Sequence, residues 1–319
     1  MDLLLLLIGL VLLLGGGDAL VRGASALAHR LGISPLVVGL TVVSFGTSAP
    51  ELAVNLTAAW RGSGEISFGN VIGSNLANIG LIVGLTALLR PFDVQSIVVR
   101  RELPMMLLAT AVVFVFALDP VLAGNASARY VRGDGIVLLL LLGVFVYYTA
   151  RDVFRQRESR TGKVSMATGS WSVPVSLALA TAGLVALVIG AHFTVEGAVR
   201  IARDAGISEA VIGLTVIAIG TSLPELAASL VAVWRGQAEI AIGNVIGSNI
   251  FNLLLVMGAT ATLRPIPVPA GGFADLAVLS LLSVALWVVC ATRQRRIIRD
   301  EGAFLLTIYL VYLSGRALL

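Results

Sequence analysis

Two short stretches of this sequence combine a carboxylate with hydroxyl and amide oxygens inside apolar surroundings. The first is Gly46-Thr-Ser-Ala-Pro-Glu51, and it is followed by Gly73-Ser-Asn-Leu-Ala-Asn78. A carboxylate at the centre of a membrane helix costs roughly 2.5–3.5 kcal/mol on insertion scales, so it needs a functional reason. An all-oxygen set suits hard cations such as Ca²⁺ and Na⁺, and it does not suit zinc or copper. We therefore expect an ion-binding site in this region.

The same pair of motifs occurs again at a constant offset of 174 residues. Gly220-Thr-Ser-Leu-Pro-Glu225 precedes Gly247-Ser-Asn-Ile-Phe-Asn252. The match runs without a gap from 31–91 to 205–265, and roughly six positions in ten are identical. Since the duplication keeps a carboxylate inside a hydrophobic sequence, it indicates that the two glutamates serve one shared site.

The order of residue types in each motif predicts an interrupted helix. Pro50 and Pro224 have no N–H to donate, so carbonyl groups just upstream need protein, water or a cation as partner. Four hydroxyls and two carboxylates lie beside these carbonyls: Thr47, Ser48, Thr221, Ser222, Glu51 and Glu225. The following span adds oxygens four residues apart, hence on one helix face: Ser74 and Asn78, and in the second copy Ser248 and Asn252. Ca²⁺ takes 6–8 oxygens, which such a set can supply.

Ordinary structural roles explain some of these residues but not the glutamates. Gly69-x-x-x-Gly73 and Gly243-x-x-x-Gly247 are small-residue patterns that predict close helix packing. A salt bridge would explain a buried carboxylate, but no Lys or Arg falls inside either motif. An intramembrane hydrolase would need a base beside Ser48 or Ser222, and neither has a neighbouring His or Lys. The protein is therefore not expected to be an enzyme.

The composition is that of an integral membrane protein. Of 319 residues, 58% are hydrophobic and 13% charged, and the mean hydropathy is +0.98. A soluble core of this size would need a polar surface that the sequence cannot supply. Pro and Gly inside the apolar stretches favour helices over a barrel. The net charge of +4 comes with Arg residues between apolar segments, which indicates membrane orientation and no nucleic-acid partner.

We predict an all-α membrane protein with ten transmembrane helices in two halves. The spans are 3–28, 34–60, 65–89, 101–118, 134–154, 172–202, 208–234, 239–263, 272–291 and 302–318. Residues 1–150 form the first five-helix repeat, 151–171 the linker, and 172–319 the second repeat. Because each half has an odd number of spans, the second enters the membrane from the opposite side. The repeats are then inverted, with broken helices at the site.

The distribution of basic residues predicts how the chain lies in the cell (inner) membrane. Fourteen Lys and Arg residues fall on the linker side of the membrane and seven on the other. The positive-inside rule then puts both termini outside and the 151–171 linker in the cytoplasm. Arg22 and Glu196 hold equivalent positions in the first and sixth spans, and the sequence leaves their role open.

Both pairs of motifs resemble the alpha-repeats of the calcium/cation antiporter superfamily, in its sodium/calcium exchanger group. The resemblance covers nearly the whole chain, whose lack of large soluble domains is that of a prokaryotic member. It implies exchange of Ca²⁺ for Na⁺ by alternating access, with sliding of the first and sixth helices. No cofactor and no obligatory protein partner are implied, only the two ions and membrane lipid. It further implies Glu51 and Glu225 as shared ligands, flanking hydroxyls as above, carbonyls of Ser44 and Ala218, and amides of Asn78 and Asn252.

One departure from the family pattern bears on the ions. Some relatives, including the potassium-dependent branch, have Asp where this chain has Asn252. With two carboxylates in the cluster, we expect exchange that does not depend on K⁺. A Ca²⁺/H⁺ exchanger stays open as an alternative, since a buried glutamate can release a cation by taking a proton. A cation channel, which needs no coupling, is a more distant one.

Overall fold

The computed structural model describes residues 2–122, 124, 128–160, 171–206 and 218–317. Its helices are α1 (Asp2–Leu31), α2 (Pro35–Thr47), α3 (Ala49–Arg61), α4 (Gly64–Leu89), α5 (Leu103–Leu122), α6 (Arg132–Arg160), α7 (Val173–Asp204), α8 (Ala218–Gly220), α9 (Leu223–Trp234), α10 (Ala238–Leu263), α11 (Gly272–Ala291) and α12 (Arg299–Ala317). A π-helical turn, Val98–Glu102, leads into α5. Two-residue strands lie between helices: β1 (Phe92–Asp93), β2 (Arg129–Tyr130), β3 (Ile266–Pro267) and β4 (Arg296–Ile297).

The described helices confirm an all-helical membrane protein. Seven of them are long and apolar enough to cross a membrane: α1, α4, α5 with its π-helical turn, α6, α7, α10 and α11. The count becomes eight if α2 and α3, which are separated at Ser48, form one broken span. The predicted span 208–234 and the linker 151–171 lie partly outside the described residues. The count of ten spans therefore stays a prediction.

Packing divides the chain into two compact units that do not follow the chain in order. The first unit comprises 1–47, 147–247 and 315–319, and the second comprises 48–146 and 248–314. Each unit therefore draws on both copies of the repeated sequence. The first unit holds α1, α2, α7, α8 and α9, and the second holds α3, α4, α5, α11 and nearly all of α12.

In the first unit, α1 and α7 pack antiparallel with their backbones in direct contact. Glycine recurs every seven residues along both helices, at Gly9, Gly16 and Gly23 in α1 and at Gly183, Gly190 and Gly197 in α7. A Cβ placed on Gly16 would lie 2.8 Å from the carbonyl oxygen of Gly183 and from the amide nitrogen of Leu187. Because two helices approach this closely only where side chains are absent, the glycines set the spacing of the pair.

A second glycine contact in this unit joins α2 to α10. A Cβ on Gly243 would lie 2.7 Å from the carbonyl oxygen of Leu36, and one on Gly247 would lie 2.7 Å from that of Leu40. The Ser44 hydroxyl also touches the position of that added Cβ on Gly247. The packing interpretation is thus confirmed for Gly243-x-x-x-Gly247. It is wrong for Gly69-x-x-x-Gly73, where an added Cβ on either glycine would meet no described atom within 4 Å.

In the second unit, two short strand pairs and a buried aromatic pair join the segments between the helices. Strand β1 pairs antiparallel with β4, and β2 pairs antiparallel with β3. Tyr130 on β2 is buried, its ring lies 6.4 Å from that of Phe68 on α4, and its hydroxyl donates to the carbonyl of Val113 on α5 at 3.0 Å. These contacts join β2 to α4 and α5.

Arg22 and Glu196, the equivalent charges of α1 and α7, do not pair with each other. Arg22 Nε lies 2.9 Å from a carboxylate oxygen of Asp18, one turn earlier on α1. Asp18 also pairs with Arg235 at the end of α9, while Glu196 pairs with Arg200 on its own helix. All five side chains are partly exposed, so they form ion pairs in contact with solvent, whereas Glu51 and Glu225 are buried.

Candidate ion-binding site

Both glutamates lie in the first turn of a helix that begins just after a break. Helix α2 ends at Thr47, Ser48 occupies the N-cap position of α3 without a side-chain capping bond, and Pro50 and Glu51 lie in the first turn. In the second copy α8 ends at Gly220, Ser222 likewise occupies the N-cap position of α9 without a side-chain capping bond, and Glu225 lies in the first turn. A proline in the first turn gives up no hydrogen bond, and the positive end of the helix dipole favours a carboxylate there. The breaks therefore lie immediately upstream of the prolines.

Wide π-helical turns occur next to three of the predicted site positions. They span Gly39–Val43 before Ser44, Ala77–Val83 around Asn78, and Asn252–Val256 starting at Asn252. A π-turn inserts one extra residue into a helix, which changes the direction of the side chains and leaves backbone carbonyls with fewer partners. Turns of this kind are frequent at functional sites in other proteins.

In the first unit, Asn244 on α10 joins the end of α2 to α9. The Thr47 hydroxyl donates to Asn244 Oδ1 at 3.1 Å. The amide nitrogen of Asn244 donates to Ser229 Oγ at 3.1 Å and to the backbone carbonyl of Glu225 at 3.4 Å. These side chains are buried, and the Glu225 side chain has no cationic neighbour among the described residues. A carboxylate so shielded from water needs a cation or a proton to neutralise it.

In the second unit, Glu51 is fully buried at the start of α3. The amide nitrogen of Asn55 donates to the backbone carbonyl of Glu51 at 2.8 Å, one turn earlier in the same helix. The Ser67 hydroxyl on α4 donates to the carbonyl of Asn55 at 3.4 Å. Ser48 and Ser74 are buried in the same unit. Glu51 is therefore held in a polar but water-excluded part of the unit.

Four asparagines form a hydrogen-bonded cluster in the second unit, which we call the asparagine cluster: Asn75 and Asn78 on α4, Asn249 and Asn252 on α10. The amide nitrogen of Asn78 donates to Asn249 Oδ1 at 3.1 Å, and that of Asn252 donates to Asn75 Oδ1 at 3.2 Å. The two bonds are equivalent in the repeat, because Asn78 corresponds to Asn252 and Asn75 corresponds to Asn249 at the offset of 174 residues. All four side chains are at most 1% exposed.

Several buried oxygens in these motifs have no hydrogen-bond partner among the described residues. They are the hydroxyls of Ser48, Ser74 and Ser222 and the amide oxygens of Asn78 and Asn252. A buried polar group left without a partner costs about 1–3 kcal/mol. Oxygens of this kind, buried and without a hydrogen-bond partner, can accept a cation.

The twelve predicted site residues fall six in each unit. The first unit contains Ser44, Thr47, Ala218, Thr221, Ser222 and Glu225, and the second contains Ser48, Glu51, Ser74, Asn78, Ser248 and Asn252. Ala218 begins α8, Thr221 is partly exposed, and the other ten are buried. Within the second unit the asparagine cluster joins the two predicted amide ligands. Within the first, Asn244 joins Thr47 to the helix that carries Glu225.

Sequence reasoning missed the asparagines that hold these ligands. Asn75 and Asn249 lie inside the repeated Gly-Ser-Asn motif, and Asn244 belongs to a Gly-Asn pair that is also repeated. The available signal was that seven consecutive residues, 69–75 and 243–249, are identical in the two copies. An amide that recurs in both copies of an apolar helix needs a buried hydrogen-bond partner, as a carboxylate does.

Comparison with known proteins assigns a family to these motifs. The profile of the family described as "Sodium/calcium exchanger protein" matches residues 1–151 and 175–317. The putative antiporter CaxA of Alkalimonas amylolytica is 40% identical over 309 residues, covering 96% of this chain and 95% of that protein. The inner membrane protein YrbG of Escherichia coli is 39% identical over 316 residues, covering 97% and 95%.

A solved structure has the same fold along almost the whole chain. The sodium-calcium exchanger NCX_Mj, in crystals soaked with Na⁺ and Sr²⁺, superposes with a TM-score of 0.83 at 32% sequence identity. The superposition covers 98% of this chain and 98% of that one. That protein was also studied in crystals soaked with Na⁺ and Ca²⁺.

Proposed function

Because the chain belongs to the sodium/calcium exchanger family, a family of cation antiporters and not of enzymes, we propose that it exchanges Ca²⁺ for Na⁺ across the cell membrane. Exchange proceeds by alternating access and does not depend on K⁺. Members of the family carry their ions without a cofactor, so the two ions are the substrates. No protein partner and no nucleic acid takes part, and lipid is the surrounding medium.

One observation carries this proposal: each copy of the repeat puts a buried carboxylate in the first turn of a helix, directly after a break. A helix break exposes backbone groups that hydrocarbon cannot satisfy. A buried carboxylate adds a charge that hydrocarbon cannot solvate. A dehydrated cation meets both needs at once, and duplication of the arrangement supplies the two charges that a divalent ion requires.

We assign the twelve residues named above to one ion site with Glu51 and Glu225 at its centre. Two carboxylates carry a formal charge of −2, which one Ca²⁺ or two Na⁺ ions neutralise. The hydroxyl, amide and carbonyl oxygens replace water around the ion, as Ca²⁺ needs 6–8 oxygens. Because the same carboxylates serve both ions, occupancy by one excludes the other. This competition couples the two fluxes.

The architecture that we propose has ten transmembrane helices in two inverted five-helix repeats. The repeats are 1–150 and 172–319, joined by the linker 151–171. The division is supported by three features that repeat at the one offset of 174 residues. They are the glycines of α1 and α7, the helix breaks, and the pairs of asparagines that make up the asparagine cluster. Inverted repeats let a transporter open to either side by equivalent movements around a fixed site. Sliding of α1 and α7 as a pair is the movement that we propose.

The orientation has both termini outside and the linker in the cytoplasm, and cysteine labelling tests it. In a Cys290→Ala background, Ser159→Cys in the linker region should be protected from an impermeant thiol reagent in intact cells. Ser127→Cys, between the fourth and fifth predicted spans, should react. The charge asymmetry is the reason for this expectation. Labelling of the 159 site from outside, with the 127 site protected, would mean the opposite orientation.

The exchange itself is tested with purified protein in lipid vesicles and isotopic calcium. We expect calcium uptake that requires an outward Na⁺ gradient and continues unchanged when choline replaces K⁺. Neutral Asn252 offers an oxygen but no charge for a further monovalent ion, which is the reason for K⁺ independence.

A pH gradient imposed in the absence of Na⁺ distinguishes Ca²⁺/Na⁺ exchange from the second candidate, a Ca²⁺/H⁺ exchanger. The carboxylate of Glu225 favours this candidate because it is buried away from water, and a buried carboxylate can release a cation by taking a proton. Uptake driven by the pH gradient alone would favour that candidate. Uptake without any opposing gradient would indicate a channel. Loss of transport on removing K⁺ would overturn K⁺ independence while leaving antiport intact.

A further inference from the structure

The asparagine cluster contains two members that the proposed site does not use. Asn78 and Asn252 are assigned as ion ligands, whereas Asn75 and Asn249 are not. The structure gives each unused member the same contact: its Oδ1 accepts a hydrogen bond from the amide nitrogen of one ligand asparagine. These contacts join α4 to α10 inside the second unit.

We propose that Asn75 and Asn249 are positioning residues that turn the oxygens of Asn252 and Asn78 toward the ion. This inference rests on the proposed ion site. Neither residue needs to touch the ion. Each acts by holding the amide nitrogen of its partner, so that the partner's oxygen is the end presented as a ligand.

The need for such residues follows from the chemistry of the amide group. The two ends of an Asn side chain have nearly the same shape, but one is an acceptor oxygen and the other a donor NH₂. A cation binds the oxygen and is repelled by the NH₂ group. In the structure the NH₂ groups of Asn78 and Asn252 are engaged, while their Oδ1 atoms are buried and have no partner among the described residues. The ligand oxygens are thereby left available for a cation.

The two positioning residues are themselves fixed in the orientation that this role requires. The amide nitrogen of Asn75 donates to the backbone carbonyl of Asn249 at 3.4 Å. The amide nitrogen of Asn249 lies 3.5 Å from the sulfur of Met106 on α5. Because each NH₂ group has an acceptor of its own, each Oδ1 faces the ligand asparagine. The hydrogen bonds of the cluster therefore define one orientation for all four amides.

The same arrangement occurs twice, which argues against an accident of packing. Asn75 and Asn249 are equivalent under the 174-residue offset, and so are Asn78 and Asn252. Their second acceptors differ, however: a backbone carbonyl for Asn75 and a thioether for Asn249. What the two copies share is the bond to the ligand amide, and this is the feature that the proposed role needs.

Two double-mutant cycles test the role, with the calcium dissociation constant of purified protein as readout. We expect Asn249→Ala and Asn75→Ala each to weaken calcium binding by about tenfold, as outer-shell changes at metal sites do. In an Asn78→Asp background both ends of the side chain are oxygens, so orientation no longer matters. Asn249→Ala should then weaken binding by less than about threefold, and Asn75→Ala should do the same in an Asn252→Asp background.

Thr260→Ala is the matched control, since Thr260 is a buried polar residue of α10 whose hydroxyl donates to the carbonyl of Val256 in the same helix. It should leave the calcium dissociation constant unchanged. Wild-type protein that binds no calcium would refute the proposed function. Wild-type binding with unaltered affinity in both alanine variants, or equal losses in the Asn and Asp backgrounds, would refute the positioning role alone. Because the two cycles replace different residues, one variant that fails to fold leaves the other cycle to decide.

Discussion

A Glu225→Gln variant should insert and fold normally and yet lose calcium transport by at least about 100-fold, and Glu51→Gln should do the same. The amide keeps the size of the side chain and one ligand oxygen but removes a charge that offsets dehydration of a divalent ion. Both carboxylates are at most 1% exposed, so solvent cannot compensate for the loss. The measurement is sodium-driven uptake of isotopic calcium into vesicles, with insertion checked by the yield of monodisperse protein.

Glu65→Gln is the control for this pair of variants. Glu65 is also a glutamate repeated at the 174-residue offset, as Glu239, but it lies in the first turn of α4 and is exposed. Its replacement should leave uptake within about twofold, because an exposed charge is screened by water and salt. Near-normal uptake by either buried-site variant would remove that glutamate from the shared site. A similar loss in Glu65→Gln would point to a general effect of surface charge.

The features that could be predicted from the sequence are those set by hydropathy and by the repeat. Apolar runs of about 20 residues with charges between them predict membrane helices, and the predicted span 272–291 coincides with α11. The breaks at Ser48 and Ser222 also follow from local chemistry, because Pro50 and Pro224 can only start a helix there. Identical motifs in two copies then predicted that both glutamates would be buried.

Other features depend on packing between segments that are distant in the chain. The π-helical turns beginning at Ala77 and Asn252 have no local sequence signal, because neighbouring helices decide whether an extra residue is accommodated. The bond from Asn78 to Asn249 joins residues 171 positions apart, so no local pattern predicts it. The division of each repeat between two compact units is likewise a property of the packed chain.

The glycines of α1 and α7 lead to the second large expected effect, which compares two neighbouring positions. Gly16 faces α7, and an added Cβ would lie 2.8 Å from the carbonyl oxygen of Gly183. Gly15 is exposed, and an added Cβ there meets no described atom within 4 Å. Because Gly→Ala raises helix propensity at both positions by roughly 1 kcal/mol, any difference between the two variants reports on packing alone.

We expect the two variants to differ in thermal stability. Gly15→Ala should match or exceed the wild-type midpoint of unfolding in detergent. Gly16→Ala should lower it, since backbone atoms cannot move aside as a flexible side chain can, and overpacking of this kind costs about 1–3 kcal/mol. Gly183→Ala should act like Gly16→Ala, because an added Cβ there meets the backbone of Leu20 and Gly16. Equal midpoints for Gly15→Ala and Gly16→Ala would mean that α1 and α7 are not in backbone contact, and transport by sliding of this pair would lose its structural basis.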